Sequence, residues 1–106
     1  MFSGDYSGTG YDQETLTVST SSVGFTAARL TDSNSVPCQA ASFTTDQPLR
    51  CWFSDNGTAP TSTVGLELPA GGPYILTGNS NVGNARFIRD ADATADAAVN
   101  VVFLRG

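Results

Sequence analysis

Histidine and lysine are both absent from this 106-residue sequence. Without histidine there is no Ser-His-Asp or Cys-His nucleophilic system and no histidine metal site. Without lysine there is no Schiff-base or Ser-Lys mechanism. Only two cysteines occur, Cys38 and Cys51. Two do not make a disulfide framework or a zinc site, and neither has a histidine to activate it. They read either as two buried thiols or as a bridge between adjacent strands, which needs Cα atoms within roughly 7 Å. No GxxxxGK[ST] phosphate loop is present, and the glycines sit in turn contexts. No apolar run approaches the ~20 residues that span a bilayer. The opening stretch, MFSGDYSGTGYDQ, lacks the basic and apolar regions of a signal peptide. The expectation is a soluble protein with no visible export signal and no membrane partner.

Charge is also scarce. Charged residues make up 14% of the chain, and the net charge is −5. The basic residues are Arg29, Arg50, Arg86, Arg89 and Arg105, scattered along the sequence. Nucleic-acid binding needs clustered cations to neutralise phosphates, so no nucleic-acid partner is expected.

What fills the chain is 40% hydrophobic residues, with Ser, Thr, Asn and Gly as the main polar content. That mix suits short strands with many turns. The length supports one domain with a thin core. Residues 1–13 alternate glycine with small polar residues and read as a flexible N-terminal arm, leaving 14–106 as the folded domain. Strands are expected at Thr15–Ser19, Phe25–Leu30, Gln39–Thr44, Leu49–Ser54, Val64–Leu68, Tyr74–Thr77, Ala85–Arg89 and Ala98–Leu104. The second has a helical alternative through Ala27, Ala28 and Leu30. In the fourth, Leu49, Cys51 and Phe53 face one side while Arg50 and Trp52 face the other. In the fifth, Val64, Leu66 and Leu68 share a face. In the last, Val99, Val101 and Phe103 do. Asp55-Asn56-Gly57 and 78–81 read as turns. About eight short antiparallel strands with regular turn signals describe an all-β protein, a small β-sandwich or jelly-roll-like domain.

The candidate functional residues are few. Asp90, Asp92 and Asp96 could line a calcium loop, but the EF-hand's central glycine and terminal glutamate are missing; a solvated loop capped by Asp is the other reading. Glu14 and Glu67 are the candidates for a glycosidase pair of carboxylates, and they lie on different strands with nothing to suggest that they converge. With nearly every common general base absent, no enzymatic activity and no cofactor are expected. Phe2, Tyr6 and Tyr11 in the arm, together with Trp52, are the candidate interaction residues. The arm is either a loose terminus or a segment that lies across a neighbouring subunit and anchors there through its rings. Trp52 reads as core or interface, or as part of a carbohydrate-binding platform.

From Arg50 onward the sequence resembles small structural proteins of tailed-bacteriophage particles. The resemblance rests on RCWFSDNGTAPTSTVG, LPAGGPYIL, NARFIRD and VNVVFLRG, with LTVSTSSVGFTAARL upstream. It extends over roughly 15–105. It implies a β-sandwich repeated around the virion, as a capsid decoration (cement) protein bridging major capsid subunits or as a head–tail connector, neck or tail component. It also implies other virion proteins as partners, a homo-oligomer, and assembly in the host cytoplasm.

Overall fold

A computed structural model describes residues 2–3, 8–54 and 56–106 of the chain. Its strands are β1 (Phe2–Ser3), β2 (Thr9–Val18), β3 (Ala40–Thr45), β4 (Leu49–Phe53), β5 (Leu66–Leu68), β6 (Gly71–Thr77), β7 (Ala85–Arg89) and β8 (Ala97–Arg105). They form two antiparallel sheets, one ordered β1-β6-β3-β8-β2 and the other β5-β4-β7. This is the expected β-sandwich.

Period-two alternation decides which side chains lie between the sheets. From the larger sheet come Leu16, Val18, Phe43, Leu76, Val99, Val101 and Phe103; from the smaller come Leu49, Cys51 and Phe87. Phe25, on the connection after β2, inserts among the rings. Its centroid lies 5.1 Å from Phe87, 5.5 Å from Phe103 and 6.0 Å from Phe43. Phe43 and Phe87 meet edge-on at 5.5 Å. These edge-to-face contacts tie one sheet to the other. The remaining face of the larger sheet carries exposed Gln13, Thr15, Thr44, Asn100 and Val102, a broad uncharged surface.

Four expectations change. Described parts of the 1–13 arm belong to the sheet: Phe2 and Ser3 pair with Leu76 and Ile75, and 9–13 pair with β8. Tyr6 lies outside the described residues. The strand expected at Phe25–Leu30 is an extended entry followed by a 3-10 turn at Ala27–Arg29. Its cause is Glu14 on β2, whose carboxylate accepts the Thr26 backbone N–H at 3.1 Å and the Thr26 hydroxyl at 2.6 Å. The turn expected at 78–81 continues into a helix, α1 (Asn79–Asn84). Its residues are poor helix formers; burial of Val82 and the bond from Asn79 Nδ2 to the Cys38 carbonyl at 2.9 Å hold it. Finally, Val64 and Leu66 do not share the buried face with Leu68: they are 52% and 42% exposed, against 5%. The chain turns at 61–64, where Val64 donates to Thr61 Oγ1 at 3.0 Å, so pairing starts only at Leu66.

At the start of β6, Gly72 has φ +118°, and a Cβ there would sit 3.0 Å from the Phe43 carbonyl oxygen. Only glycine permits that approach.

Phe43→Ala removes a ring shared by both sheets and should lower unfolding free energy by about 3–5 kcal/mol. Val64→Ser, at an exposed turn, should change it by less than ~0.5 kcal/mol. Urea denaturation of the two variants checks the core assignment.

Candidate interaction surface

Candidate surface features cluster on the outer face of the β5-β4-β7 sheet. Cys51 points inward, so Arg50 and Trp52 point outward. Register sets Glu67 and Ile88 opposite Arg50, and Arg86 opposite Trp52. Arg50 is the centre of this face. Its Nε donates to Asp90 at 2.6 Å, its Nη2 to Glu67 at 2.8 Å and its Nη1 to the Gly65 carbonyl at 3.0 Å. Asp90 is buried. Its other oxygen accepts the Asp92 backbone N–H at 2.9 Å. That bond first, and the Arg50 guanidinium second, hold the Asp90 carboxyl below the usual aspartate range against the opposing effect of burial.

The segment 56–64 lies beside this face as a strap. Asn56–Ala59 and Thr61–Val64 are exposed, while Pro60 is buried, placed where a side chain on Gly65 would touch it. Short-range bonds stiffen the strap. Thr58 donates through its hydroxyl to Asn56 Oδ1 at 2.7 Å, and Thr61 donates through its N–H to the Val64 carbonyl at 2.9 Å. Ala91 N–H donates to the Ser62 carbonyl at 3.0 Å, fastening the strap to the loop after β7. Between them is a cleft of about 500 Å³ lined by Thr20, Pro60, Thr61, Ile88, Asp90 and Ala93, among others. The charged groups at its rim are committed elsewhere: Asp90 to Arg50, and Arg89 to Asp96 at 2.8 Å. What remains is hydroxyl, proline and aliphatic surface, fit for packing against uncharged groups.

The carboxylates considered from sequence are dispersed among such pairs. Asp96 binds Arg89 while Asp90 binds Arg50, and among the described residues no group of three or more His, Cys, Asp or Glu is placed to hold a metal. Glu14 serves the Thr26 turn and Glu67 serves Arg50, on separate sheets.

The candidate interaction residues separate as well. Phe2 is 36% exposed and its ring lies 5.8 Å from Phe53, 6.3 Å from Tyr74 and 6.5 Å from Phe43. It therefore caps one end of the sandwich. Tyr11 packs against the core of its own chain, its hydroxyl donating to the Arg29 carbonyl at 2.6 Å; burial raises its phenol pKa further. Trp52 is half-buried on the outer face and does not line the cleft. Sequence reasoning missed the Arg50–Asp90–Glu67 group, whose members are 17 to 40 positions apart. It also missed the Asp32 loop, where Asp32 accepts the Val36 and Asn34 N–H groups and pairs with Arg105 at 2.8 Å. These bonds, the Val36 N–H foremost, lower the Asp32 pKa.

Both cysteines are free and buried, as one of the two sequence readings had it. Burial pushes the Cys51 thiol up to about 12. No family model, curated protein or solved structure matches this chain.

Two predictions follow from these environments. Cys51 should stay unlabelled by iodoacetamide at pH 8 in the native protein and react fully in 6 M guanidinium, as peptide mass spectrometry will show. Asp90→Asn should lower stability at pH 7. A carboxylate whose folded pKa is depressed stabilises above its unfolded pKa, near ~3.9, and that contribution fades as pH falls through the folded value. Thermal melts from pH 7 to 2 should thus show the gap between Asp90→Asn and the parent closing only below about pH 4.

Proposed function

We propose that this protein is a structural component of a tailed-bacteriophage virion, a capsid decoration protein that bridges and stabilises neighbouring major capsid subunits without catalysis. The observation carrying this reading is the strap at 56–64. It falls within the RCWFSDNGTAPTSTVG stretch that resembles phage virion proteins. It presents a stiff, uncharged row of threonine, serine and alanine side chains. A protein that binds by many repeated contacts needs a surface of this kind, because weak contacts gain strength through multivalency.

The arginines support a protein-facing surface. Arg29 pairs with Asp12, Arg50 with Asp90 and Glu67, Arg89 with Asp96, and Arg105 with Asp32. Arg86 donates to the Gly83 and Ala85 carbonyls. Each arginine already has a partner within the chain, which leaves little positive charge for phosphates. The uncharged outer face of the larger sheet extends the same character.

Adding the purified protein to capsids that lack it should give saturable binding at hundreds of copies per particle and raise the temperature at which the particles open. Replacing Thr58 and Thr63 with lysine should weaken binding about tenfold, or ~1.4 kcal/mol, without altering the protein's own melt. A count of six or twelve copies would move the protein to the neck or tail. No binding to particles, with polysaccharide binding abolished by Trp52→Ala, would replace the proposal with a carbohydrate-binding module.

A further inference from the structure

The strand order puts β1 and β2 on opposite edges of the larger sheet, with β6, β3 and β8 between them. In sequence, only residues 4–8 separate Ser3 from Thr9. The register gives the span these residues must bridge. Ser3 is level with Ile75, Ser42, Val102 and Gln13, whereas Thr9 is level with Arg105. Four inter-strand spacings amount to roughly 19 Å across the sheet, and the step from Val102 to Arg105 adds roughly 10 Å along it. The diagonal is about 21 Å. Six Cα–Cα steps in a fully extended chain reach at most ~22 Å.

Direction makes the connection harder. Phe2 is level with Asp12 and Ser3 with Gln13, so β1 and β2 run the same way. A chain leaving Ser3 is heading away from Thr9. It must reverse, clear three strands and still cover nearly its full extended length. Connections between strands of the same sense in one sheet take about a dozen residues or more; here there are five.

The docking place for β1 is nonetheless well built. Phe2 pairs with Leu76 on the free edge of β6, and its ring meets Phe53, Tyr74 and Phe43. A good strand site joined to its own strand by too short a linker is the condition that favours exchange between copies.

We propose that β1 is donated in trans: Phe2 and Ser3 of one chain complete the five-stranded sheet of a second copy, with Phe2 filling the ring-lined opening between that copy's two sheets. Exchange removes the need to cross from one edge of the sheet to the other within one chain. The inference stands whether or not the chain works on a virion.

Light scattering and sedimentation of the full chain should show a species of at least two copies. Phe2→Ala should raise its dissociation constant tenfold or more. Inserting ten Gly/Ser residues between Gly4 and Asp5 should also shift the protein toward monomer, because the longer linker lets β1 reach its own β6. In a mixture of isotope-labelled and unlabelled full chains, contacts from the Phe2 ring to Phe53 and Tyr74 should appear between copies. A protein monomeric at millimolar concentration, an assembly indifferent to both changes, or Phe2 contacts confined to one chain would overturn the exchange.

Discussion

The structure depends on four phenylalanine rings meeting where two unequal sheets face each other. A domain of 106 residues buries only about two thirds of the surface its unfolded chain exposes, so its core has few side chains to lose. Phe43 and Phe103 come from the five-stranded sheet and Phe87 from the three-stranded one. Phe25 enters from a connection and touches all three. Phe25 lies on no strand, and its ring is fixed by contacts of the chain on either side of it. Val23 bridges to Phe87 on one side of it, and Glu14 holds Thr26 on the other.

Outside the core, stability is supplied by arginines acting as local clamps. Three of them join segments far apart in sequence: Arg29 with Asp12, Arg50 with Asp90, Arg105 with Asp32. Exposed ion pairs contribute little. Arg50 and Asp90, whose side chains are 17% and 9% exposed, are shielded enough to matter. The same pairing that holds the loops also occupies the cations, and the strap and the outer face of the larger sheet, built from uncharged residues, meet their surroundings through hydroxyls, amides and backbone.

Strands with an alternating pattern of large apolar residues were legible from sequence. Ala85–Arg89 was expected with the bounds it has. Leu49, Cys51, Val99, Val101 and Phe103 face inward as alternation requires. The failures share a physical reason. At 79–84 a single buried valine stabilises a helix in a segment that composition reads as turn. At 9–13, glycine and polar residues form a strand because β8 supplies a partner for their backbone, and backbone pairing leaves little mark on side-chain pattern. Val64 and Leu66 alternate correctly, but Val64 precedes the smaller sheet and Leu66 is the first residue of its short edge strand, so both stay exposed while Leu68 is buried. The Arg50–Asp90–Glu67 group was illegible because charge pairing across 40 positions has no periodic signature.

A sandwich of five strands against three has a further consequence at its edges. Free edges expose unpaired N–H and C=O groups, and folded proteins shorten, cover or pair them. In the smaller sheet β5 is three residues long, which leaves little to pair with. In the larger sheet the edge of β6, Gly71–Thr77, is longer and borders the opening lined by Phe43, Phe53 and Tyr74. Left bare, it would be both a strand template and an apolar hole. Two residues, Phe2 and Ser3, treat both problems at once, by pairing with Leu76 and Ile75 and by placing one ring over the gap. A cover so short gains its hold from the phenylalanine more than from the ladder. It can therefore come as readily from a neighbouring copy as from the same chain, and the length of the linker then decides between the two.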